Sequence, residues 1–435
     1  MLFDIEMEPL AIALQNRLRG IEMGDSKLKV SMYADDTEMF IKDYHDLSVG
    51  MEVIDDFEDQ SAMKINKSKS SFLSLGPTNV PRGEHKIPRV KEDRYLGIKI
   101  GKRGKVNQPL ADRYHEACNS WAAKGWDPLG KVSLVNAYCV GKIAYAAPFL
   151  AISAAKTTKM VSDYWNAIWS TRGNRMAADR AVASRAHGGI GALQLKLWLQ
   201  THMAVWVPWA KKGDKKWSAA WYSMESRFKP SKWGNVVQRA NFYWEKFNLN
   251  IRSEKTWTAR LIYDRVKVNP ILKSSISASF SWDKVKGSML RGKVQEVWWR
   301  WHHDKLKIQR VEGHRPECKK CLTKITSTHL VNECLEQEAI SKLQKLGFKI
   351  NASQWKKEVM IGAQLWLVVL VKFNIWKAYA KVVYGNGNPN PNWFLAAVNE
   401  WLDLGFTSRT SAKCVDQRKI IKNLAPLIKE KLKAL

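Results

Sequence analysis

The spacing of apolar side chains along the N-terminal part of the chain predicts helices separated by short strands. Residues 4–20 place apolar side chains near one helical face, and Gly20 is positioned to end this helix. Residues 29–33 and 37–41 predict two short strands joined by a tight turn at residues 34–36. The same reasoning predicts a second helix at residues 47–62 and further strands at residues 64–66, 70–75 and 95–100.

From residue 109 onward, the apolar pattern is helical for most of the chain. Proline and glycine at Pro148, 188–191, Pro230 and Pro270 interrupt this pattern and mark loops or joints between subdomains. We therefore predict an α+β fold, in which antiparallel strands with helices are followed by a mostly α-helical body. The predicted segments are an α+β part at 1–105, helical parts at 106–230 and 231–310, a cysteine-bearing part with a terminal helix at 311–383, and a basic helical tail at 393–435.

The charge of the chain points to a polyanionic partner. Its 435 residues include 71 Lys and Arg against 41 Asp and Glu, a formal net charge of +30 that exceeds what solubility requires. Nucleic acid is the simplest such partner. A merely soluble or ribosomal-type basic protein and a protein that binds a membrane surface are alternatives, because charge alone does not separate these classes. Acidic residues gather in residues 1–60, where 15 acidic side chains accompany 5 basic ones.

Cysteine usage and apolar runs bear on the compartment. The chain has six cysteines, too few for a disulfide scaffold of this size, which favours a reducing compartment. Its N-terminus has neither a basic segment nor an uninterrupted apolar segment, so no signal peptide is predicted. The longest apolar run, Leu365 to Val371, is shorter than the ~18 residues that a membrane span needs. We expect a soluble intracellular protein, in the nucleus or the cytoplasm, with no membrane partner.

The turn between the first two predicted strands carries two adjacent carboxylates. It has the sequence Tyr33-Ala34-Asp35-Asp36, and neighbouring carboxylates repel each other unless a cation binds them. Such a pair suits Mg2+, which prefers hard oxygen ligands. Polymerases use carboxylates of this kind to hold the ions that activate a primer 3′-hydroxyl and stabilise the leaving pyrophosphate. The alternative is an ordinary Asp-Asp turn between two strands.

In order and spacing, the motifs around this turn resemble the reverse transcriptase domain of non-LTR (LINE-type) retrotransposons. Residues 2–5 resemble the end of motif B, residues 33–36 motif C, residues 61–69 motif D, and residues 95–98, Tyr-Leu-Gly-Ile, motif E or primer grip. The resemblance implies RNA-directed DNA polymerase chemistry on a partial palm at residues 1–105, from the end of motif B to motif E. It implies that Asp35 and Asp36 are catalytic ligands of Mg2+ and that Tyr33, Lys64, Lys69, Tyr95 and Gly97 bind substrate.

The resemblance continues into the helical body. Residues 121–148 resemble the family's thumb, and residues 188–193 resemble its glycine-rich segment. The resemblance therefore implies a helical thumb at residues 106–230. Lysines on these helices are candidates to follow a nucleic-acid backbone, although ordinary surface lysines have the same sequence pattern. The lysines predicted to do so are Lys124, Lys131 and Lys142.

The sequence also departs from the family at the polymerase site. The chain begins within motif B at Leu2, whereas the family's fingers and first catalytic aspartate precede that motif, and Glu38 stands at a position that is normally apolar. Two carboxylates of a three-carboxylate site hold Mg2+ only weakly, so we expect this chain alone to bind RNA or an RNA–DNA hybrid without polymerising. The alternatives are an active polymerase, within a longer chain or with a second polypeptide that supplies the missing palm and fingers, and a domesticated structural protein of a ribonucleoprotein.

A second motif brings soft metal ligands together in sequence. Cys318, Cys321, His329 and Cys334 have the spacing C-x2-C-x7-H-x4-C. Four such ligands complete a tetrahedral Zn2+ site with no open position, so the predicted zinc is structural. The arrangement resembles the zinc-binding domain that follows this family's thumb, here residues 311–383. The alternative is a pair of reduced core cysteines near an unrelated Cys-His pair. The neighbouring lysines predicted to contact nucleic acid are Lys319 and Lys320.

Overall fold

The structure of the chain is a computed structural model in which two compact units are each built from three stretches of sequence. Unit 1 contains Met1–Tyr114, Gly141–Met160 and Leu195–Lys267. Unit 2 contains His115–Val140, Val161–Gln194 and Val268–Leu435, so the predicted thumb contributes to both units. The structure describes residues 2–434 except 24–25, 77–86, 102–104, 107–109, 125, 150–151, 170–174, 214, 233, 255, 268–279, 283, 285–287, 289, 291, 304–305, 307–316, 319–320, 359, 361, 385–391 and 407–413.

Helices make up most of the described chain. Short 3-10 segments at Ala147–Phe149, Arg185–His187 and Ile251–Ser253 and a π-helical turn at Val135–Cys139 accompany the α-helices. The α-helices are α1 Leu2–Arg17, α2 Tyr44–Ser61, α3 Leu110–Ala122, α4 Pro128–Leu134, α5 Gly141–Ala144, α6 Ala154–Trp169, α7 Ala178–Ala181, α8 Leu195–Ala204, α9 Trp206–Lys212, α10 Lys215–Arg227, α11 Val236–Lys246, α12 Ala259–Val266, α13 Gly292–His302, α14 Ser327–Asn332, α15 Glu336–Lys345, α16 Ala352–Lys357, α17 Gly362–Tyr384, α18 Trp393–Leu404 and α19 Val415–Lys433.

The strands of the described residues are short and lie in four separate small sheets. The pairs β1–β2 and β3–β4 and the three strands β7–β8–β9 are antiparallel, whereas β5 and β6 are parallel. The prediction of a mostly helical α+β fold is confirmed, and a single palm sheet stays a prediction. The strands are β1 Ile21–Met23, β2 Ser26–Leu28, β3 Val30–Tyr33, β4 Asp36–Met39, β5 Phe72–Leu73, β6 Arg89–Val90, β7 Glu92–Tyr95, β8 Ile98–Gly101 and β9 Lys105–Val106.

The N-terminal core of unit 1 forms where α1 packs on α2 and on the β3–β4 hairpin. Leu14, Leu18 and Met51 are fully buried there, as the apolar spacing of both helices requires. Helix α1 ends at Arg17, three residues before the predicted stop. Gly20 instead turns the chain into β1 with a φ of 70°, and a Cβ at this position would lie 2.5 Å from the Leu28 carbonyl oxygen.

Asp46 joins the end of α1 to the start of α2. Its buried carboxylate accepts hydrogen bonds from the backbone N–H groups of Arg19 at 2.7 Å, Gly20 at 3.0 Å and Lys42 at 3.2 Å. Burial alone would raise the pKa of Asp46, but these three donors and the Arg19 guanidinium hold it below its ordinary value. The carboxylate therefore satisfies backbone donors that would otherwise be buried without partners.

Three predicted strands differ from the structure. The strand predicted at residues 64–66 is wrong, because this segment has no ladder partner among the described residues and Asn66 instead caps a turn by accepting hydrogen bonds from the next residues. Of the strand predicted at 70–75, Phe72–Leu73 is the part that pairs with another described strand. The strand predicted at 95–100 is a hairpin, because Leu96 and Gly97 have φ values of 42° and 80° and form the two-residue turn between β7 and β8.

A helical core in unit 1 is formed by α8, α9, α11 and α12 with the segments between them. Trp244 and Trp257 are buried in it with an edge-to-face contact of 5.1 Å between ring centroids. Asn235 begins α11 with a capping box that includes Gln238. Thr258 caps α12, so both helix starts are encoded locally.

Unit 2 is organised around α17, which is apolar on nearly all sides and packs on α13, α14, α18 and α19. Within the described part of the chain, neither α17 nor another helix combines the length and the hydropathy that a bilayer span requires. A fully buried ion pair joins Lys372 of α17 to Glu358, with 2.9 Å between Lys372 Nζ and Glu358 Oε1. Glu358 also accepts a hydrogen bond from Trp298 Nε1 at 2.8 Å and lies 3.1 Å from His302 Nε2.

The glycine-rich segment at residues 188–191 packs against α13 in unit 2. The Gly188 carbonyl oxygen accepts a hydrogen bond from Trp299 Nε1 at 2.9 Å and lies 2.6 Å from His303 Nε2. A Cβ on Gly189 would lie 2.0 Å from the Ala183 carbonyl oxygen. Gly188 has a φ of 88°, and a Cβ there would collide with the Trp282 ring. Glycine is therefore required at both positions, at Gly189 by the nearby backbone and at Gly188 by its φ and the Trp282 ring.

Candidate functional site

The two adjacent carboxylates lie at the tip of the β3–β4 hairpin, as predicted. Tyr33 pairs with Asp36 across the hairpin, so Ala34 and Asp35 form the two-residue turn. Ala34 has a φ of 53°, which is the left-handed conformation that such a turn requires. Tyr33, Asp35 and Asp36 are all exposed. The tip therefore presents two carboxylates to solvent, where their oxygens are accessible to a cation.

Among the described residues, no third His, Cys, Asp or Glu joins Asp35 and Asp36 in a cluster with metal-ligand spacing. The hairpin carboxylates are consequently able to contribute part of a coordination shell, and the remaining ligands must come from water, substrate or other residues. Weak binding of Mg2+ by the two side chains acting alone stays a prediction.

A polar cluster connects the carboxylate hairpin to the β7–β8 hairpin. Ser31 Oγ and Tyr95 OH are hydrogen-bonded at 2.9 Å, and Glu38, which faces Ser31 across the ladder, also bonds the Tyr95 hydroxyl. Burial raises the pKa of Glu38 to about 7, and the nearby carboxylates of Asp36 and Asp93 raise it as well. Glu38 is therefore partly protonated near neutral pH, which explains how strand β4 accommodates a carboxyl group at this half-buried position.

The β7–β8 turn receives a further contact from the predicted thumb within unit 1. The Tyr145 hydroxyl donates a hydrogen bond to the Leu96 carbonyl oxygen at 2.6 Å. Gly97 follows in the same turn, and a Cβ there would meet the Tyr145 ring at 3.6 Å. The two residues predicted to bind substrate here, Tyr95 and Gly97, thus have structural roles in the hairpin as well.

The predicted basic residues lie in different environments. Lys64 and Lys69 are exposed on the segment after α2, where Ile65 N donates to Glu58 Oε1 at 2.8 Å. Lys124 is exposed after α3, and Lys142 is exposed on α5. The remaining predicted lysines are Lys131, treated below, and Lys319 and Lys320, which lie outside the described residues.

Lys131 does not face solvent, which corrects its predicted role. Its side chain is only 3% exposed, and its Nζ donates a hydrogen bond to the Ala122 carbonyl oxygen at 3.0 Å. Burial lowers the pKa of this ammonium group. Lys131 therefore caps the C-terminal end of α3 in unit 2 rather than contacting a phosphate backbone.

The Cys3His motif folds into one cluster in unit 2. The ligand atoms of Cys318, Cys321, His329 and Cys334 all lie within 4.8 Å of one another. Cys318 Sγ and Cys334 Sγ are 3.5 Å apart, and Cys321 Sγ and His329 Nε2 are 3.5 Å apart. Tetrahedral Zn2+ with ordinary bond lengths separates two sulfurs by about 3.8 Å and a sulfur and a nitrogen by about 3.6 Å. The donor set and its spacing therefore fit a single tetrahedral metal ion such as zinc.

Local backbone structure holds the ligands of the cluster in place. Around the first two cysteines, Cys318 N donates to Thr323 O and Leu322 N donates to Cys318 O, both at 2.8 Å. Thr326 caps α14 by accepting from His329 N at 2.9 Å, which orients the histidine at the start of the helix. Cys334 N then donates to the His329 carbonyl oxygen at 3.1 Å.

Thr323 is a site residue that the ligand spacing did not predict. Its Oγ1 lies 3.0 Å from Cys321 Sγ and 3.1 Å from His329 Nδ1. Hydrogen bonds from Thr323 lower the pKa of the Cys321 thiol to about 7, whereas burial raises the pKa of the Cys334 thiol to about 12. Because Thr323 is the partner of His329 Nδ1, the other ring nitrogen, Nε2, is available to a metal. Hydrogen-bond partners outside the ligand set commonly orient metal-binding histidines in this way.

Compared with models of known protein families, the chain matches none. The structure thus supports a metal-binding Cys3His cluster and an exposed pair of carboxylates on their own geometry. The family assignment made from the motifs stays a prediction.

Proposed function

We propose that this chain is the partial palm, the thumb and the zinc-binding part of a reverse transcriptase similar to those of non-LTR retrotransposons, and that it binds RNA or an RNA–DNA hybrid. The observation that carries the proposal is the pair of connected hairpins in unit 1. One presents Asp35 and Asp36 at its tip, and the other has the primer-grip sequence at its turn. Ser31 and Tyr95 join the two at 2.9 Å.

The residues of the hairpins have separate roles in this proposal. Asp35 and Asp36 bind Mg2+ next to the primer terminus, and Lys64 and Lys69 face the triphosphate of the incoming nucleotide. Bound there, the cation would supply electrostatic stabilisation of the attacking 3′-hydroxyl and the leaving pyrophosphate. Tyr95 holds the primer-grip hairpin against β3, so that the primer backbone and the carboxylates have a defined separation. Because two carboxylates are too few for a two-metal site, this chain alone binds the template without extending the primer.

The Cys3His cluster has a structural role in the proposal. Its four donors leave no open coordination position for a substrate, so a bound Zn2+ stabilises the fold around residues 317–334 rather than performing chemistry. The positively charged chain outside residues 1–60 then supplies the contacts to phosphate groups.

A salt titration of nucleic-acid binding tests the proposal. Fluorescence anisotropy with a labelled RNA and with an RNA–DNA hybrid should show affinity that falls with salt with a log–log slope of several units and that depends weakly on sequence. A flat salt titration, or binding carried by residues 1–60 alone, would contradict it. Lys142→Ala should reduce the slope by about one unit, whereas Lys131→Met, at a buried lysine, should leave the slope unchanged.

A primer extension assay separates binding from catalysis. With a poly(A) template, an oligo(dT) primer and Mg2+ or Mn2+, the chain should give no more product than its Asp35→Ala variant while it still binds the template. Extension that disappears in Asp35→Ala would instead show that another residue completes the metal site, and the active polymerase would replace the binding protein as the better assignment.

A further inference from the structure

A continuous row of aromatic rings begins at the β7–β8 turn and crosses the helical part of unit 1. It consists of Tyr145, Phe149, Trp206 and Trp209, called the aromatic row below. The ring centroids are 6.2 Å apart for Tyr145 and Phe149, 5.3 Å for Phe149 and Trp206, and 5.8 Å for Trp206 and Trp209. Each contact is tilted or edge-to-face, the geometry that aromatic pairs prefer.

The two ends of the aromatic row are exposed, unlike Trp244 and Trp257 of the same unit. Tyr145 is 58% exposed and Trp209 is 50% exposed, whereas Trp244 and Trp257 are buried in the neighbouring core. The side chains at both ends are nevertheless held in place. Tyr145 OH donates to Leu96 O at 2.6 Å, and Trp209 Nε1 donates to Trp257 O at 3.0 Å. Large apolar rings that are both exposed and immobilised are typical of binding surfaces rather than of core packing.

Positive charge accompanies the aromatic row. The aromatic row lies on two segments of unit 1 that together contain 18 Lys and Arg against 5 Asp and Glu, namely residues 141–160 and 195–267. The exposed Lys142 and Lys212 stand one helical turn from Tyr145 and Trp209, and Lys212 is oriented by a hydrogen bond to the Glu254 carbonyl oxygen at 2.7 Å. Exposed aromatic rings next to lysines provide the two contacts that an unpaired nucleic-acid strand needs, stacking for its bases and cations for its phosphates.

We propose that the aromatic row is a binding surface for an unpaired nucleic-acid strand, with bases stacking on Tyr145 and Trp209. The inference rests on the proposed nucleic-acid binding and names the place and the chemistry of one contact. Since every base has a π-face, this surface accepts any sequence and shares its chemistry between RNA and DNA strands. Because the aromatic row begins beside the β7–β8 turn, which has the primer-grip sequence, we assign it to a nucleic-acid strand that enters or leaves the site at that hairpin.

Paired substitutions separate stacking from folding. Tyr145→Leu with Trp209→Leu removes both exposed rings, while Tyr145→Phe with Trp209→Phe removes the same two hydrogen bonds and keeps a ring at each position. Phe406→Leu serves as a control, because Phe406 is 61% exposed and lies in unit 2 outside the aromatic row. Binding is measured by anisotropy with single-stranded RNA and DNA oligonucleotides of about 15 nucleotides and with a hybrid duplex of that length.

The leucine pair should weaken single-strand binding roughly 10-fold or more, with an unchanged salt slope, because stacking is removed and phosphate contacts remain. The phenylalanine pair and Phe406→Leu should bind within about twofold of the parent chain. If the leucine pair keeps full affinity for both single strands, or if the phenylalanine pair loses as much affinity as the leucine pair, the aromatic row is not a stacking surface. Absence of nucleic-acid binding by the parent chain would instead overturn the proposed function itself, so the two failures are distinguishable.

Discussion

Removal of one ligand from the Cys3His cluster gives the sharpest test of its metal. Cys321 is the ligand of choice because its side chain is exposed, unlike those of Cys318 and His329. Cys321→Ser therefore removes little buried surface, and without a metal we expect it to change the free energy of unfolding by less than about 0.5 kcal/mol. Any larger effect must come through the bound ion.

The magnitude follows from the four-ligand geometry. Structural zinc sites bind with apparent free energies of about 10–16 kcal/mol, so one ligand of four contributes roughly 3 kcal/mol. Loss of Cys321 should accordingly weaken zinc binding by a factor of about 100 or more and destabilise the zinc-bound protein by a similar free energy at saturating metal. The segment most affected is residues 317–334, whose turns and helix α14 are organised around the ligands.

The assay is a thermodynamic cycle with a chelator. Zinc content by elemental analysis and thermal unfolding with and without EDTA are measured for the parent chain, for Cys321→Ser and for Leu322→Ala. Leu322 is the matched control, because it is 75% exposed beside Cys321 and is not a ligand. We expect one zinc per chain for the parent and for Leu322→Ala, and a destabilised, zinc-poor Cys321→Ser whose difference from the parent disappears in EDTA.

Two results would refute this reasoning. Well-folded parent protein that contains no zinc after purification in metal-containing medium would show that the cluster is not a structural metal site. A destabilisation by Cys321→Ser that persists unchanged in EDTA would show that the thiol acts through ordinary packing or hydrogen bonding, for example with Thr323.

Three further predictions concern stability. The pKa of Asp46 is lowered in the folded protein, so the ionised carboxylate stabilises the fold above the ordinary aspartate pKa, and this stabilisation is lost as pH falls through the pKa of the folded protein. Asp46→Asn should lower the free energy of unfolding, measured with urea at neutral pH, by about 2 kcal/mol, and by less in acid. Lys372→Met should destabilise the protein by about 3–5 kcal/mol because it leaves the buried Glu358 carboxylate without its ammonium partner. Adding Glu358→Gln should recover part of the loss, and additive losses would contradict the pairing. The pKa of Glu38 is raised to about 7, so protonation of this carboxyl group stabilises the fold at low pH, and the stabilisation is lost as pH rises toward and through that pKa. Glu38→Gln should therefore stabilise the protein by on the order of 1–2 kcal/mol near pH 8 and have little effect near pH 5.

Features that depend on neighbouring residues in sequence were predicted well. The hairpin around Asp35 follows from two short strands and a turn, and the spacing from Cys318 to Cys334 predicts the Cys3His cluster. The helices α1 and α2 follow from apolar periodicity, with ends that differ from the prediction by a few residues. In each case the interactions that define the feature lie within a short stretch of chain, so local patterns are sufficient.

Features that depend on distant partners were decided only by the tertiary structure. Lys131 has the sequence context of a surface lysine, but its partner at Ala122 and the packing around it bury the ammonium group. The β7–β8 hairpin was predicted as one strand, because an apolar run around Leu96 and Gly97 does not reveal the positive φ angles of a turn.

The hydrogen bonds that join the β3–β4 hairpin, the β7–β8 hairpin and Tyr145 also depend on partners that are distant in sequence. Ser31 bonds Tyr95 across 64 positions of sequence and Tyr145 bonds Leu96 across 49, so no periodicity could place them together. The aromatic row likewise becomes visible only when residues 145–149 and 206–209 meet in one unit. The sequence by itself determined which chemical groups are available and where the chain turns. The tertiary structure decided which of those groups are exposed, buried or paired, because burial and long-range contacts depend on the whole packed chain.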